Sequence, residues 1–131
     1  MLVLHLVLPT TQLIYLPWRV GGLVPVLVGV ALIVWADRLF KHAGTTIRPF
    51  QPTAALVPTG PFCHIRNPMY LGMVLLLAGI AIGLGSASPW LVIPLFVWLV
   101  TARFIVAEER KLEAAFGSQY VDYKAKVRRW F

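Results

Sequence analysis

Four apolar stretches, separated by polar or proline-rich segments, run along the chain. They cover about Leu2–Leu16, Val20–Trp35, Met69–Leu84 and Trp90–Val106. Each is close to the roughly 17 residues at which a helix begins to span the hydrocarbon core of a bilayer. Runs that are apolar on all faces are typical of membrane helices. The pattern therefore predicts an all-α integral membrane protein, a small bundle of about four transmembrane helices.

The connections between these stretches differ in length. Residues 17–22 contain Pro, Arg and two Gly and predict a tight turn, and residues 83–86 predict a short uncharged one. The second connection is longer, and its prolines predict a stiff, extended loop that packs on the bundle or, alternatively, is a plain linker: Pro49, Pro52, Pro58 and Pro61. We predict one domain, with an N-terminal helical hairpin over residues 1–46 and a core over residues 47–131.

Helix-boundary signals bring two polar clusters together. Asn67-Pro68 predicts a helix start, with Asn as N-cap and Pro in the first turn. If the last two apolar stretches form an antiparallel hairpin, Arg66 lies level with Glu108-Glu109. The fourth helix then continues to Gly117, and residues 118–130 predict a cytoplasmic helical extension. Its apolar stripe lies either on the membrane surface or against the bundle.

Composition and charge support a membrane protein and indicate its orientation. The 131 residues are 59% hydrophobic and 13% charged, with a net charge of +7 and a mean hydropathy of +0.77. Of the twelve Lys and Arg residues, the first connection contains only Arg19 and the third contains none. Positive residues favour the cytoplasmic side, so we expect both termini and the 47–68 loop there. This distribution argues against nucleic acid as a partner.

Metal and cysteine chemistry are not indicated. The chain has one cysteine, Cys63, and its three histidines, His5, His42 and His64, have no metal-ligand spacing. Cys63 and His64 are adjacent, but neighbouring side chains in an extended loop point apart, and no third group to orient them is evident. We expect no metal site and no cysteine nucleophile.

The two polar clusters have complementary chemistry. Arg66 is a permanently charged donor fork, and the N–H groups of the helix beginning at Asn67 add partial positive charge, which suits a carboxylate or phosphate. Glu108 and Glu109 suit an ammonium or a pair of hydroxyls. S-adenosylmethionine carries a carboxylate, an ammonium and ribose hydroxyls, so it matches both clusters. The alternative is that Arg66 and a glutamate form a structural salt bridge.

Several motifs lie in order between about residues 50 and 130: Leu56–Phe62, Arg66–Gly72, Glu108–Leu112, Phe116-Gly117, Tyr120, Tyr123 and Val127–Trp130. Together they resemble the C-terminal half of the isoprenylcysteine carboxyl methyltransferase-like family. Phospholipid methyltransferases are similar at a greater distance, through an Asn-Pro-Met-Tyr turn and a paired-glutamate element. The resemblance implies methyl transfer from S-adenosylmethionine to a lipid-like or amphipathic acceptor reached from the bilayer.

The resemblance also assigns the site. It implies that cofactor-binding residues are Arg66, Asn67, Pro68, Tyr70, Gly72, Glu108 and Glu109. Asn67 stands where the family's commonest pattern has His, and Asn does not titrate near neutral pH. A general base at position 67 is therefore in doubt. We predict Arg66 and Arg103 as catalytic residues that orient an anionic acceptor. The alternative for Arg103 is that its side chain only extends to the cytoplasmic membrane interface.

Two other classes of function stay open. The chain fits a non-catalytic membrane scaffold or lipid-binding subunit in which the Arg and Glu groups lock the helix hairpin. A transporter is a weaker alternative, because the first three apolar stretches carry no charged residue near their middle. The acceptor group, whether carboxylate, thiol or amine, is not indicated. The oligomeric state is also open. A homo-oligomer is one possibility, because so short a bundle benefits from a partner that completes its wall.

Overall fold

Helices make up nearly all the regular structure of the parts of the chain described by the structure, a computed structural model. These parts are residues 1–8, 12, 14–42 and 60–130. The helices are α1 Leu2–Val7, α2 Leu23–His42, α3 Pro68–Leu84, α4 Val92–Val100, α5 Val106–Phe116 and α6 Ser118–Lys126. Short 3-10 turns precede α2, α3 and α4, and a π-helical turn over Thr101–Ile105 joins α4 to α5. The predicted all-α class is confirmed for these residues.

Two of these helical stretches are long and apolar enough to cross a membrane. They are Trp18–His42, with 25 residues, and Ser88–Phe116, with 29, while the apolar helix α3 is shorter. By contrast, α1 has six residues and is only about 9 Å long, against a hydrocarbon core of roughly 30 Å. Residues 14–17 are not helical. The predicted four-crossing bundle is therefore not confirmed.

The short helix α1 packs beside the turn between α3 and α4. His5 Nδ1 lies 2.6 Å from Ser86 Oγ, and Ser88 Oγ donates to the carbonyl oxygen of Leu4 at 3.4 Å. The C-terminal Arg129 instead contacts the other end of α3, through a bond from Asn67. In the described residues, α1 and the C-terminal segment thus pack at opposite ends of α3. The membrane side of each terminus stays a prediction.

The close contact between α2 and α3 is made by glycines. A Cβ on Gly29 would lie 2.5 Å from the carbonyl oxygen of Gly72, and one on Gly79 would lie 2.5 Å from that of Gly22. These distances leave no room for a side chain, so the two backbones are in direct contact. In lipid, where apolar residues gain little from leaving the solvent, such close van der Waals packing stabilises helix pairs.

The turn after α3 reverses the chain as predicted. Helix α3 ends at Leu84, and Gly85 adopts a left-handed conformation with φ of 76°. An L side chain rarely adopts this φ, and the Arg19 guanidinium occupies the space where a Cβ would lie. The chain then enters the 3-10 turn Ser88–Leu91 and α4. This α3–α4 hairpin brings the start of α3 and the end of the last long helix to the same level.

The final helix packs inward against the bundle. Gly117 separates α5 from α6, and Tyr120 and Val127 are buried. The Tyr123 hydroxyl donates to the carbonyl oxygen of Phe62 at 2.7 Å, in the 3-10 turn before α3. Of the two predicted surroundings for this stripe, the structure shows packing against the bundle. The predicted proline-rich loop and the 46/47 boundary lie outside the described residues, which resume at Gly60.

The glycine contact predicts a sharp difference between two alanine substitutions in α3. Gly79→Ala places a methyl group against the backbone of Gly22 and the side chain of Val26. We expect it to lower the free energy of unfolding by about 1 to 3 kcal/mol. Gly83→Ala is the matched control, because nothing lies within 4 Å of the added carbon. Thermal unfolding in detergent should show no loss for the control, and equal loss in both variants would contradict the packing argument.

Candidate active site

The two predicted polar clusters meet where the start of α3 faces α5. Arg66 Nη1 lies 3.1 Å from Glu109 Oε1, and both side chains are about nine-tenths buried. One turn into α3, the Tyr70 hydroxyl donates to Glu108 Oε1 at 3.0 Å. The prediction that the hairpin brings Arg66 level with the glutamate pair is confirmed. The structure also separates the two glutamates, since each has its own partner on the α3 side.

Glu109 has a second arginine partner, from the C-terminal segment. Arg129 donates from Nε to Glu109 Oε1 at 2.9 Å and from Nη2 to Glu109 Oε2 at 2.8 Å. This bidentate geometry matches the guanidinium fork to the carboxylate and forms the strong kind of charge-assisted bond. Glu109 therefore lies between two guanidinium groups, and both of its oxygens are in use.

Backbone bonds fix the C-terminal segment beside the start of α3. The Arg66 N–H donates to the Arg128 carbonyl oxygen at 2.7 Å, and Ile65 pairs with Arg128 in an isolated parallel bridge. The Asn67 side chain donates to the Arg129 carbonyl oxygen at 3.0 Å. Asn67 is at the predicted N-cap position of α3, but its side chain makes no capping bond. It instead holds the segment that carries Arg129.

Arg66 has hydrogen-bonding capacity that the described residues do not use. Its Nε and Nη1 are buried and make no hydrogen bond to them, although Nη1 is in ion-pair contact with Glu109. Buried donors without acceptors are costly and unusual. The N-terminus of α3 adds partial positive charge at the same place. This donor set fits the carboxylate of an amino-acid ligand such as S-adenosylmethionine, and Glu108 offers a carboxylate nearby for a cation or hydroxyl.

Two tyrosines of α6 lie near Arg66. Burial raises the pKa of Tyr120, against a smaller opposing effect of its hydrogen bond with Arg66. Burial likewise raises the pKa of Tyr123 to about 12. Both phenols therefore stay protonated and neutral at physiological pH. The hydrogen bond with Glu109 raises the pKa of Arg129, so that guanidinium stays charged.

The remaining predicted site residues lie in different surroundings. Pro68 is buried at the first position of α3, and Gly72 is packed against Gly29 and Ile33 of α2. Arg103 is exposed within the π-helical turn. The structure thus brings together Arg66, Asn67, Tyr70, Glu108 and Glu109. The assigned roles of all these residues stay predictions.

Arg129 is the prominent member of this cluster that sequence reasoning did not single out. The motif Val127–Trp130 contributed to the resemblance. It contains two adjacent arginines, Arg128 and Arg129, which have the same chemistry but different surroundings. Arg128 is exposed, whereas Arg129 holds Glu109. The backbone pairing of Ile65 with Arg128 sets the register of this segment, in which the Arg129 side chain reaches Glu109 of α5. A sequence pattern alone does not give that register.

Two helical stretches long and apolar enough to cross a membrane, with a buried, charged cluster at one end, are typical of a helical membrane protein. Sequence comparison identifies the family. The profile of the phospholipid methyltransferase family matches residues 18–119. The chain belongs to this family. Within it, the resemblance to the isoprenylcysteine carboxyl methyltransferase-like members is supported by curated relatives of about 30% identity.

Three relatives illustrate the similarity. The protein-S-isoprenylcysteine O-methyltransferase of Schizosaccharomyces pombe is 32% identical over 95 residues, which are 72% of this chain and 39% of that protein. Protein-S-isoprenylcysteine O-methyltransferase B of Arabidopsis thaliana is 30% identical over 110 residues, 81% of this chain and 55% of that protein. An uncharacterized protein of Haemophilus influenzae is 40% identical over 62 residues, 47% of this chain and 98% of that protein.

The match to the named methyltransferases covers only part of their length. This chain spans between about two-fifths and two-thirds of those proteins, including a second Arabidopsis relative matched over 64% of its length. No solved structure matches the chain significantly.

The buried position of Glu109 predicts a large effect on stability. Glu109→Gln removes the charge between Arg66 and Arg129 and leaves the buried Arg66 and the partly exposed Arg129 without this counter-ion. We expect a loss of about 2 to 4 kcal/mol in the free energy of unfolding. Glu113→Gln is the matched control, because Glu113 pairs with Lys124 on an exposed part of the surface. Its effect should stay within about 0.5 kcal/mol. Chemical denaturation of both variants in detergent checks the difference.

Proposed function

We propose that this protein transfers a methyl group from S-adenosylmethionine to a lipid-like or amphipathic acceptor at the membrane. The observation that carries the proposal is Arg66, a buried guanidinium with unused donors beside the N-terminus of α3. Its partner Glu109 follows Glu108 in the chain, and Glu108 accepts a hydrogen bond from Tyr70 of α3. Membership of the phospholipid methyltransferase family supports it. The names of the curated relatives favour an O-methyltransferase, but the acceptor of this chain stays open.

The residues of the site have separate tasks in this proposal. Arg66 and the first N–H groups of α3 hold the carboxylate of the methyl donor. Glu108, oriented by Tyr70, binds its ammonium or ribose hydroxyls. Asn67 keeps the C-terminal segment in place rather than acting as a base. When bound, S-adenosylmethionine supplies an electrophilic methyl group on a sulfonium sulfur.

Catalysis in this proposal depends on position more than on proton transfer. An acceptor that is already anionic needs no general base, so the main contribution is to hold its nucleophilic atom in line with the methyl group. Apolar helices around the site exclude water that would otherwise compete. Arg103 is exposed on the same long helix, on the membrane side of Glu108, where it fits an anionic acceptor that enters from the bilayer. Its role stays part of the proposal.

We further propose three crossings, formed by Trp18–His42, α3 and Ser88–Phe116. Three antiparallel crossings place α1 and the C-terminal segment on opposite sides of the membrane, as their packing at opposite ends of α3 suggests. Most Lys and Arg residues lie toward the Arg66 end, which therefore faces the cytoplasm. This proposal has one crossing fewer than the four predicted from the sequence and keeps the site on the cytoplasmic side, as expected.

Ligand binding tests the assignment of the site. Purified protein should bind S-adenosylmethionine in a calorimetric titration, and Arg66→Ala and Glu108→Ala should each weaken this binding at least roughly 30-fold, because each removes a charged partner of the ligand. Arg110→Ala and Glu113→Ala are the matched controls on the same long helix and should bind normally. Retained affinity in both Arg66→Ala and Glu108→Ala would contradict the assignment.

Label transfer separates the enzyme from the scaffold alternative. Membranes that contain the protein are incubated with methyl-labelled S-adenosylmethionine, and lipids and small molecules that acquire label are identified. Transfer that is absent with Glu108→Ala supports the proposal and names the acceptor. A scaffold binds no methyl donor, and in it Arg66→Ala would act only through loss of folding.

The single cysteine provides a test of orientation without further engineering. Cys63 is exposed in the 3-10 turn at the Arg66 end of the bundle. In a bacterial expression host, a membrane-impermeant maleimide should label it in inverted vesicles and leave it unlabelled in intact cells. The Cys63→Ser variant is the control for background labelling. Labelling in intact cells only would reverse the proposed orientation.

A further inference from the structure

The charges around Arg66 are unequal. Two guanidinium groups, from Arg66 and Arg129, share the single carboxylate of Glu109. Arg129 takes both oxygens in a bidentate pair, whereas Arg66 has one 3.1 Å contact and no directed hydrogen bond from that nitrogen. Glu109 is therefore largely neutralised by Arg129. Among Arg66, Arg129 and Glu109 one positive charge is in excess, and Arg66 is the guanidinium with the weaker contact to the carboxylate.

We infer that Arg129 is a positioning residue that keeps Arg66 available for the carboxylate of the methyl donor. This inference rests on the proposed function. Without Arg129, Glu109 has two free oxygens, and Arg66 can form with Glu109 the bidentate pair that Arg129 now forms. A guanidinium neutralised in that way has lost its excess charge and offers fewer donors to an anionic ligand. Arg129 thus acts on the ligand through Glu109 and Arg66.

The fold provides a reason why Arg129 holds this position. Its backbone carbonyl accepts the Asn67 side chain, and the carbonyl of the preceding residue accepts the Arg66 N–H. The residue next to Arg66 in the chain therefore fixes the segment that carries Arg129. The Arg129 side chain is 38% exposed, but its partner Glu109 is buried. Arg129 is therefore the most exposed member of the cluster, and Arg66, which is about nine-tenths buried, lies deeper.

A pair of ligands that differ only in the carboxylate tests this inference. S-adenosylmethionine and decarboxylated S-adenosylmethionine are titrated into the wild-type protein and into Arg129→Gln, with acceptor absent. The wild-type protein should prefer the carboxylated ligand. In Arg129→Gln we expect this preference to fall about tenfold, a size typical of coupled neighbouring groups. The affinity for the decarboxylated ligand should stay the same.

Arg128→Gln is the matched control. It removes the same charge from the neighbouring position, where the side chain is exposed, so both affinities should equal those of the wild type. Arg129→Lys keeps the charge but not the bidentate geometry and should give an intermediate preference. If Arg129→Gln does not fold, the comparison of Arg129→Lys with Arg128→Lys decides the question.

Three results would overturn the inference, and they are distinguishable. An unchanged preference in a folded Arg129→Gln protein shows that Arg66 does not depend on Arg129. An equal loss of affinity for both ligands shows a general structural role. A wild-type protein that binds neither ligand contradicts the proposed function itself, whereas the first two results leave that function intact.

Discussion

One buried carboxylate, that of Glu109, joins three parts of the chain that are far apart in sequence. It links α5 to Arg66 at the start of α3 and to Arg129 in the C-terminal segment. In surroundings this apolar, a charge is tolerated only with partners of opposite charge and directed hydrogen bonds. The position of each segment therefore depends on the other two. In the proposed function, the same interaction also determines which charges of the site remain for a ligand.

The glycine contacts between α2 and α3 give this charged cluster a rigid support. Apolar side chains in lipid provide little drive for association, so the approach of the two backbones at Gly29 and Gly72 supplies much of the specificity of packing. Near the site the contact continues through Ala36 and Phe62, both buried, and the Phe62 ring meets Phe40 edge to face at 5.0 Å. The start of α3, and with it Arg66, is thereby fixed relative to α2.

Much of this arrangement could be predicted from the sequence, because local chemistry determines it. The Asn67-Pro68 start of α3, the reversal at Gly85 and the break at Gly117 all depend on residues with restricted or unusual backbone preferences. From these the meeting of Arg66 with Glu109 could be predicted. The length of α1 could not, since an apolar run does not reveal whether it continues as helix. The pairing of Arg129 with Glu109 could not be predicted either, because it depends on how the C-terminal segment aligns with Ile65 in the folded chain.

The π-helical turn over Thr101–Ile105 has a consequence for how the last long helix meets its two environments. A π turn accommodates one extra residue, which rotates α5 by about 100° relative to the phase of a continuous α-helix. The exposed apolar face of α4 and the face of α5 that carries Glu109 are consequently not a single stripe. The π turn therefore lets one continuous helix direct different faces toward its apolar surroundings and toward the charged cluster.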